Sequence, residues 1–250
     1  MEHIKAIGFD LFNTLVTAEP HTLNDALERL THSLRKSGFA FEDEAFTKAH
    51  REAAVRFLED TRRVGRETHN RFWISAALQT LGYHVPPDDA RVAKAVDAYF
   101  SAFLPNCYLI PKTTKMLQTL KGPYRLGLLS NFTHGPAARE IIDAMGLTPF
   151  FDVVLISGEL GYCKPHPLVF SRLIDQLGVE KNQIIYVGDD LEYDITGAQQ
   201  AGLQPIWMTY VQDQNLPFVP GYLTRRTEGP DCETLRISKW EDLLALLKKD

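Results

Sequence analysis

Cysteine is scarce and unpatterned in this chain. Its 250 residues hold three, Cys107, Cys163 and Cys232, with no CxxC pair and no Cys/His spacing. That argues against a disulfide-stapled secreted fold and against the usual zinc arrangements, and predicts free thiols in a reducing compartment. Long apolar runs are missing as well: none reaches the roughly 18 residues of a membrane-spanning helix. Nor is there an excess of positive charge, since the net charge is −5. A chain of that sign has no electrostatic reason to bind nucleic acid or an anionic membrane. There is no repeat at a fixed period and no low-complexity tract. The opening stretch, MEHIKAIGFD, enters a strand almost at once, leaving no room for a signal peptide, so a cytoplasmic location is expected.

What is present is an ordinary globular mixture, 44% hydrophobic and 24% charged, which suits one larger domain or a core with a subdomain. Ile4 to Phe9 reads as a short buried strand. From about Thr22 to Leu104 the apolar residues recur at helical spacing. Leu23, Leu27, Leu30 and Leu34 form one face, stopped by Gly38. Phe46, Ala49, Ala53 and Phe57 form a second, and Trp73, Ala76, Ala77 and Leu81 a third before Gly82. Val92, Val96, Tyr99 and Phe103 form a fourth, with Asp88 as its expected N-cap. After Pro105 short apolar strands at Tyr124–Leu129, Val153–Ile156, Ile184–Val187 and Pro205–Met208 alternate with helices near Ala137–Met145, Leu168–Leu177 and Ile195–Ala201. Leu235–Ser238 reads as an edge strand and Trp240–Lys248 as a closing amphipathic helix. This alternation predicts an α/β fold, a Rossmann-like parallel sheet covered on both faces. The expected division is a core of residues 1–16 and 106–250 with a helical insertion at 17–105.

In open sheets of this kind ligands bind outside the carboxyl ends of the strands. Four such ends carry polar residues: Asp10; Ser130 and Asn131; Lys164 in SGELGYCKPHP; and Asp189, Asp190 and Asp194 after IIYVG. Several carboxylates crowded at one rim raise one another's pKa unless a cation compensates, and an oxygen-rich site with few carboxylates suits Mg²⁺. With Lys164 as a further positive charge, the group held there is an oxyanion, most simply phosphate. A carboxylate so placed can act as a nucleophile. Each residue has a plainer reading alone: Asp10 as a turn former, Lys164 as a solvated lysine, Ser130 and Asn131 as helix caps, the acids as a helix N-terminus. Asn13 shapes the turn. His21, His69, His134 and His166 read as surface or structural histidines, Arg62, Arg63 and Arg66 as a solvated face, and Phe72, Trp73, Tyr99 and Phe103 as helix packing.

FDLFNTL, LLSN, GYCKPHPLVF and IYVGDDLEYDITGAQQAG, in that order, resemble the four motifs of the haloacid dehalogenase superfamily. The helical block is similar in position to that superfamily's cap domain. The resemblance implies Asp10 as nucleophile, Lys164 as the lysine steadying nucleophile and phosphate, and Thr14, Ser130 and Asn131 as contacts to the substrate's oxygens. It implies a Mg²⁺ site formed by Asp10, the Phe12 carbonyl and Asp189, with Asp194 in support; Asp190 has no fixed role.

Phe12 departs from the pattern. Most phosphatases of the superfamily carry there an aspartate that protonates the leaving oxygen, and Phe12 has no proton to give. Three readings follow: a Mg²⁺-dependent phosphohydrolase acting on a small anionic, phosphorylated substrate; a dehalogenase-like hydrolase attacking carbon; and a non-catalytic phosphate-ligand-binding protein. In the dehalogenase branch the equivalent of Phe12 is typically tyrosine. That branch, however, usually has glycine where Asn13 stands and lacks a full fourth motif.

Overall fold

A computed structural model describes residues 3–216 and 234–248; Cys232 lies outside the described residues. Six parallel strands form the main sheet: β1 (Ala6–Phe9), β4 (Arg125–Ser130), β5 (Val153–Ile156), β6 (Ile184–Gly188), β7 (Gln204–Met208) and β8 (Leu235–Ile237), in the order β5-β4-β1-β6-β7-β8. A further pair, β2 (Val16–Ala18) and β3 (Cys107–Leu109), is antiparallel. All four residues of β1 are buried, as are all five of β6; a central parallel strand covered on both faces needs such a continuous apolar run. Register then places the chemistry. Phe9 pairs with Leu128 on one side and Val187 on the other, so the three central strands release their next polar residues at one edge.

Two glycines permit the close approaches beneath that edge. A Cβ on Gly8 would lie 2.8 Å from the Tyr186 ring and 3.0 Å from Leu173. On Gly188 it would fall 2.3 Å from the Asp194 carboxylate carbon. Neither approach leaves room for a side chain.

Between β2 and β3 stand α1 (Thr22–Lys36), α2 (Asp43–Val64), α3 (Asn70–Thr80) and α4 (Ala90–Phe100). α1 packs chiefly on α4, and α2 on α3. The expected N-cap of α4 is corrected from Asp88 to Asp89, whose Oδ1 accepts from the Arg91 N–H at 2.8 Å. On α3 the buried positions include Ile74, Ala77 and Leu78, while Ala76 is only half-buried. Phe72, expected as helix packing, is 37% exposed, with its ring 6.5 Å from that of Phe57. β2 and β3 were not expected; strands of three residues are too short to show alternation. They tie the two chain segments that enter and leave the helical block. The helix Thr113–Leu120 was also missed. After β6 the chain forms a π-helical turn, Leu191–Thr196, before the helix Gly197–Ala201. Such turns occur frequently at functional sites.

Among the described residues no helix is long and apolar enough to cross a membrane. Cys107 and Cys163 are buried and unbridged, and burial pushes both thiols up to about 12.

Candidate active site

Lys164 is the hub of the strand-end edge. It is only 2% exposed, and its Nζ donates to Asp10 Oδ1 at 2.5 Å, Asp194 Oδ1 at 2.6 Å and the Tyr186 hydroxyl at 3.1 Å. Burial opposes its charge, but the Asp10 and Asp194 carboxylates outweigh that cost and hold its pKa well above the ordinary lysine value. Tyr186 was not anticipated. Its signal was a lone hydroxyl in an otherwise apolar strand, and that hydroxyl also donates to the Leu129 carbonyl at 3.1 Å.

Asn131 engages Lys164 from its other side. Its Nδ2 donates to the Lys164 carbonyl at 3.0 Å, and its Oδ1 accepts the Lys164 N–H at 2.8 Å. Asn131 thus forms a two-point clip on the backbone of the lysine. Ser130 is buried at the end of β4, and Thr14 is buried with its Oγ1 lacking a hydrogen-bond partner among the described residues. Asn13 takes a left-handed conformation (φ 59°) and accepts from the Thr17 hydroxyl at 3.1 Å, shaping the turn after Asp10.

Asp10, Asp189 and Asp194 each offer a carboxylate oxygen, all within 4.8 Å of one another. Three carboxylates against the single ammonium of Lys164 leave two negative charges uncompensated in a largely buried place. The protein alone answers with protons. Burial, offset in part by Lys164 and reinforced by Asp194, raises Asp10 from 3.8 to about 7. Asp189 is pushed well up by burial and by Asp10. A hard dication with oxygen ligands fits this donor set in charge and chemistry. Asp190 is given a structural role: its Oδ1 accepts from the N–H groups of Glu192 and Tyr193 at 2.8 and 2.7 Å, capping the π-helical turn. Its own N–H holds Asp194 Oδ2 at 3.0 Å.

Phe12 contributes a ring. It stacks on Phe132 (centroids 5.3 Å apart) and meets the edge of Phe103 (6.4 Å), joining the loop after β1 to the helical block. Around it the block is held by polar contacts. Arg62 Nε donates to the Tyr193 hydroxyl at 2.9 Å, Ser157 Oγ donates to Glu67 Oε2 at 2.5 Å, and Thr133 Oγ1 bonds Asn70 Oδ1. Arg62 is therefore a bridge and not part of a solvated face. His69, His134 and His166 each cap a helix N-terminus through Nδ1.

Residues 4–202 match the family model for a haloacid dehalogenase-like hydrolase. The chain belongs to that family. A ribulose-1,5-bisphosphate 5-phosphatase of Halopiger xanaduensis is 28% identical, over 80% of this chain and 83% of its own. A glyceraldehyde 3-phosphate phosphatase of Methanopyrus kandleri is 30% identical, over 99% and 100%. A crystal structure of a 2-haloacid dehalogenase from Pseudomonas syringae pv. tomato superposes with a TM-score of 0.72 at 22% identity, covering 98% of both chains. The first two are named as phosphatases; the third shares the fold. This protein is thus a hydrolase of the haloacid dehalogenase-like family.

The raised Asp10 pKa gives a stability prediction for this family member. Between its unfolded and folded values, the folded carboxyl keeps a proton that the unfolded chain has released. The stability it contributes is present below about 3.8 and is lost as pH rises through about 7. Asp10→Asn cannot titrate. In EDTA, the melting temperature of Asp10→Asn relative to wild type should therefore climb from about pH 4.5 to about pH 7 and then level off. A difference that stays flat with pH would contradict the burial of this charge.

Proposed function

We propose that the chain is a Mg²⁺-dependent phosphohydrolase of small phosphorylated metabolites, with residues 1–16 and 106–250 as the catalytic core and the helices of 17–105 as a substrate-selecting cap. The observation that carries this reading is the buried cluster of Asp10, Asp189 and Asp194 around Lys164. Asp10 and Asp189, with the Phe12 carbonyl, would hold the ion, and Asp194 would support them. When bound, Mg²⁺ supplies the two positive charges that keep these carboxylates ionised beside an anionic substrate.

Lys164 fixes Oδ1 of Asp10 and so orients the carboxylate for attack on phosphorus; Asn131 positions Lys164. A carboxylate oxygen of Asp10 forms the new bond to phosphorus as the bond to the leaving oxygen breaks, giving an aspartyl phosphate. Water then displaces Asp10 and carries the phosphoryl group away as inorganic phosphate. Ser130 and the unpartnered Thr14 hydroxyl supply hydrogen bonds to the transferring oxygens. Phe12 offers the leaving group no proton, so the reaction depends on a leaving group that departs as an anion, such as the carboxylate of an acyl phosphate.

With Mg²⁺, the protein should release phosphate from acetyl phosphate and p-nitrophenyl phosphate, and glyceraldehyde 3-phosphate belongs in the same panel because of its named relative. EDTA should stop the release; silence across the panel, or indifference to EDTA, would defeat the reading. Phe12→Asp should raise phenyl phosphate hydrolysis by about 10²–10⁴ and flatten the dependence of kcat/KM on the leaving-group pKa. The same change exchanges the ring packed on Phe132 and Phe103 for a charge and should cost about 1–3 kcal/mol of stability. An unchanged slope would mean that no proton donor is missing.

A second reading has one observation in its favour. Attack by Asp10 on carbon with loss of halide needs no proton donor, which suits Phe12. Halide release from a 2-chloro acid without metal would establish it. The third, a non-catalytic phosphate-binding scaffold, predicts binding without turnover.

A further inference from the structure

Gln212 belongs to the one-turn helix Tyr210–Asp213 after β7, and no sequence motif pointed to it. Its Nε2 lies 3.3 Å from the Asp189 carbonyl oxygen and 3.5 Å from Asp189 Oδ2. Trp207 Nε1 donates to the same carbonyl at 2.9 Å. Two side chains from β7 and its following helix therefore converge on one acid of the cluster. The other end of the carboxamide is the informative one: Gln212 Oε1 is buried and has no hydrogen-bond partner among the described residues.

Exchanging the amide's nitrogen and oxygen would not relieve this. It would set an oxygen against the carbonyl and carboxylate of Asp189, which are both acceptors. A buried acceptor left unmatched is costly, and natural chains seldom keep one without a partner to come. What Oε1 lacks is a donor, one carboxamide width from the group that grips Asp189. A hydrated divalent cation brings such donors, because Mg²⁺ gives up its waters reluctantly and usually keeps several.

We propose that Gln212 is a positioning residue for the cation: Nε2 holds Asp189, and Oε1 accepts a hydrogen bond from water carried by the metal. The proposal rests on the reading of Asp10, Asp189 and Asp194 as the Mg²⁺ site. Groups that orient metal ligands in this way typically change metal affinity 10–100-fold when removed.

The test is Mg²⁺ binding by calorimetry on the full chain, without substrate, together with the melting temperature in EDTA. Gln212→Met keeps the volume and removes both polar ends. It should weaken Mg²⁺ about 10–100-fold while leaving the metal-free melting temperature unchanged or higher, since the unmatched acceptor is gone. Gln212→Ala also removes both polar ends and should weaken Mg²⁺ to a similar extent. If Gln212→Met does not fold, Gln212→Ala decides: a loss of less than about tenfold overturns the proposal. Wild-type affinity in Gln212→Met, with Asp189→Asn losing Mg²⁺, also overturns it and leaves the cation site standing; a metal-free water then fills the Oε1 position. If Asp189→Asn binds Mg²⁺ as wild type does, the cation lies elsewhere and both readings fall.

Discussion

Lys164→Met should lower the melting temperature more than any other single change in the site. The ammonium is buried against the carboxylates of Asp10 and Asp194, both under a tenth exposed. Removing it leaves buried negative charges without their partner, a loss that typically costs about 3–5 kcal/mol. In a chain of this size each kcal/mol moves the midpoint by about 2–4 °C, so a drop of about 6–20 °C is expected in EDTA. The loss should persist throughout the neutral range. Lys164 titrates above its ordinary value, so its contribution is complete below about 10.5 and fades only as pH rises beyond that. Excess Mg²⁺ should restore part of the loss by supplying positive charge to the same carboxylates. A midpoint within about 2 °C of wild type would mean that solvent reaches the cluster and that the burial described above is wrong.

Asp10→Asn should have the largest effect on turnover. An amide in place of the carboxylate cannot form the covalent intermediate, and removing the nucleophile of a covalent hydrolase costs up to about 10⁶ in kcat. A fall of at least about 10⁴ is expected, whereas Asn131→Ala, which loosens Lys164 but leaves every reacting group, should lose far less. The protein should stay folded, because Lys164 keeps Asp194 as a partner. Should Asp10→Asn retain a tenth of wild-type kcat, another group attacks the substrate.

Much of this was readable from the chain because parallel strands report themselves as buried apolar runs, and their carboxyl ends are where polar residues collect. Asp10, Ser130, Lys164 and Asp189 all stand just beyond such runs or in the loops that follow them. Register, which a sequence does not display, is what brings them to one edge. The π-helical turn at Leu191–Thr196 was legible only as a helix beginning later, because its first residues serve the acids and not the core. Asn131 shows the limit for side chains. Its type and position suit a substrate contact, but nothing in the chain shows that its amide also pairs with the N–H and C=O of Lys164. Gln212 gave no signal at all, since a glutamine in a polar turn is unremarked until the fold carries it to Asp189. The fate of Phe12 also needed three dimensions: its neighbours Phe103 and Phe132 lie far off in sequence, and their rings turn a missing acid into part of the contact with the helical block.

The central claim is that Asp10 attacks phosphorus, and trapping the covalent enzyme within a single turnover tests it most directly. Acid quenches taken through one turnover of acetyl phosphate with Mg²⁺, followed by mass spectrometry of the Asp10 peptide, should find the phosphoryl group on Asp10 before inorganic phosphate is released. A quench series in which phosphate is released while no phosphoryl group ever appears on Asp10 would contradict the account, because water then attacks phosphorus directly.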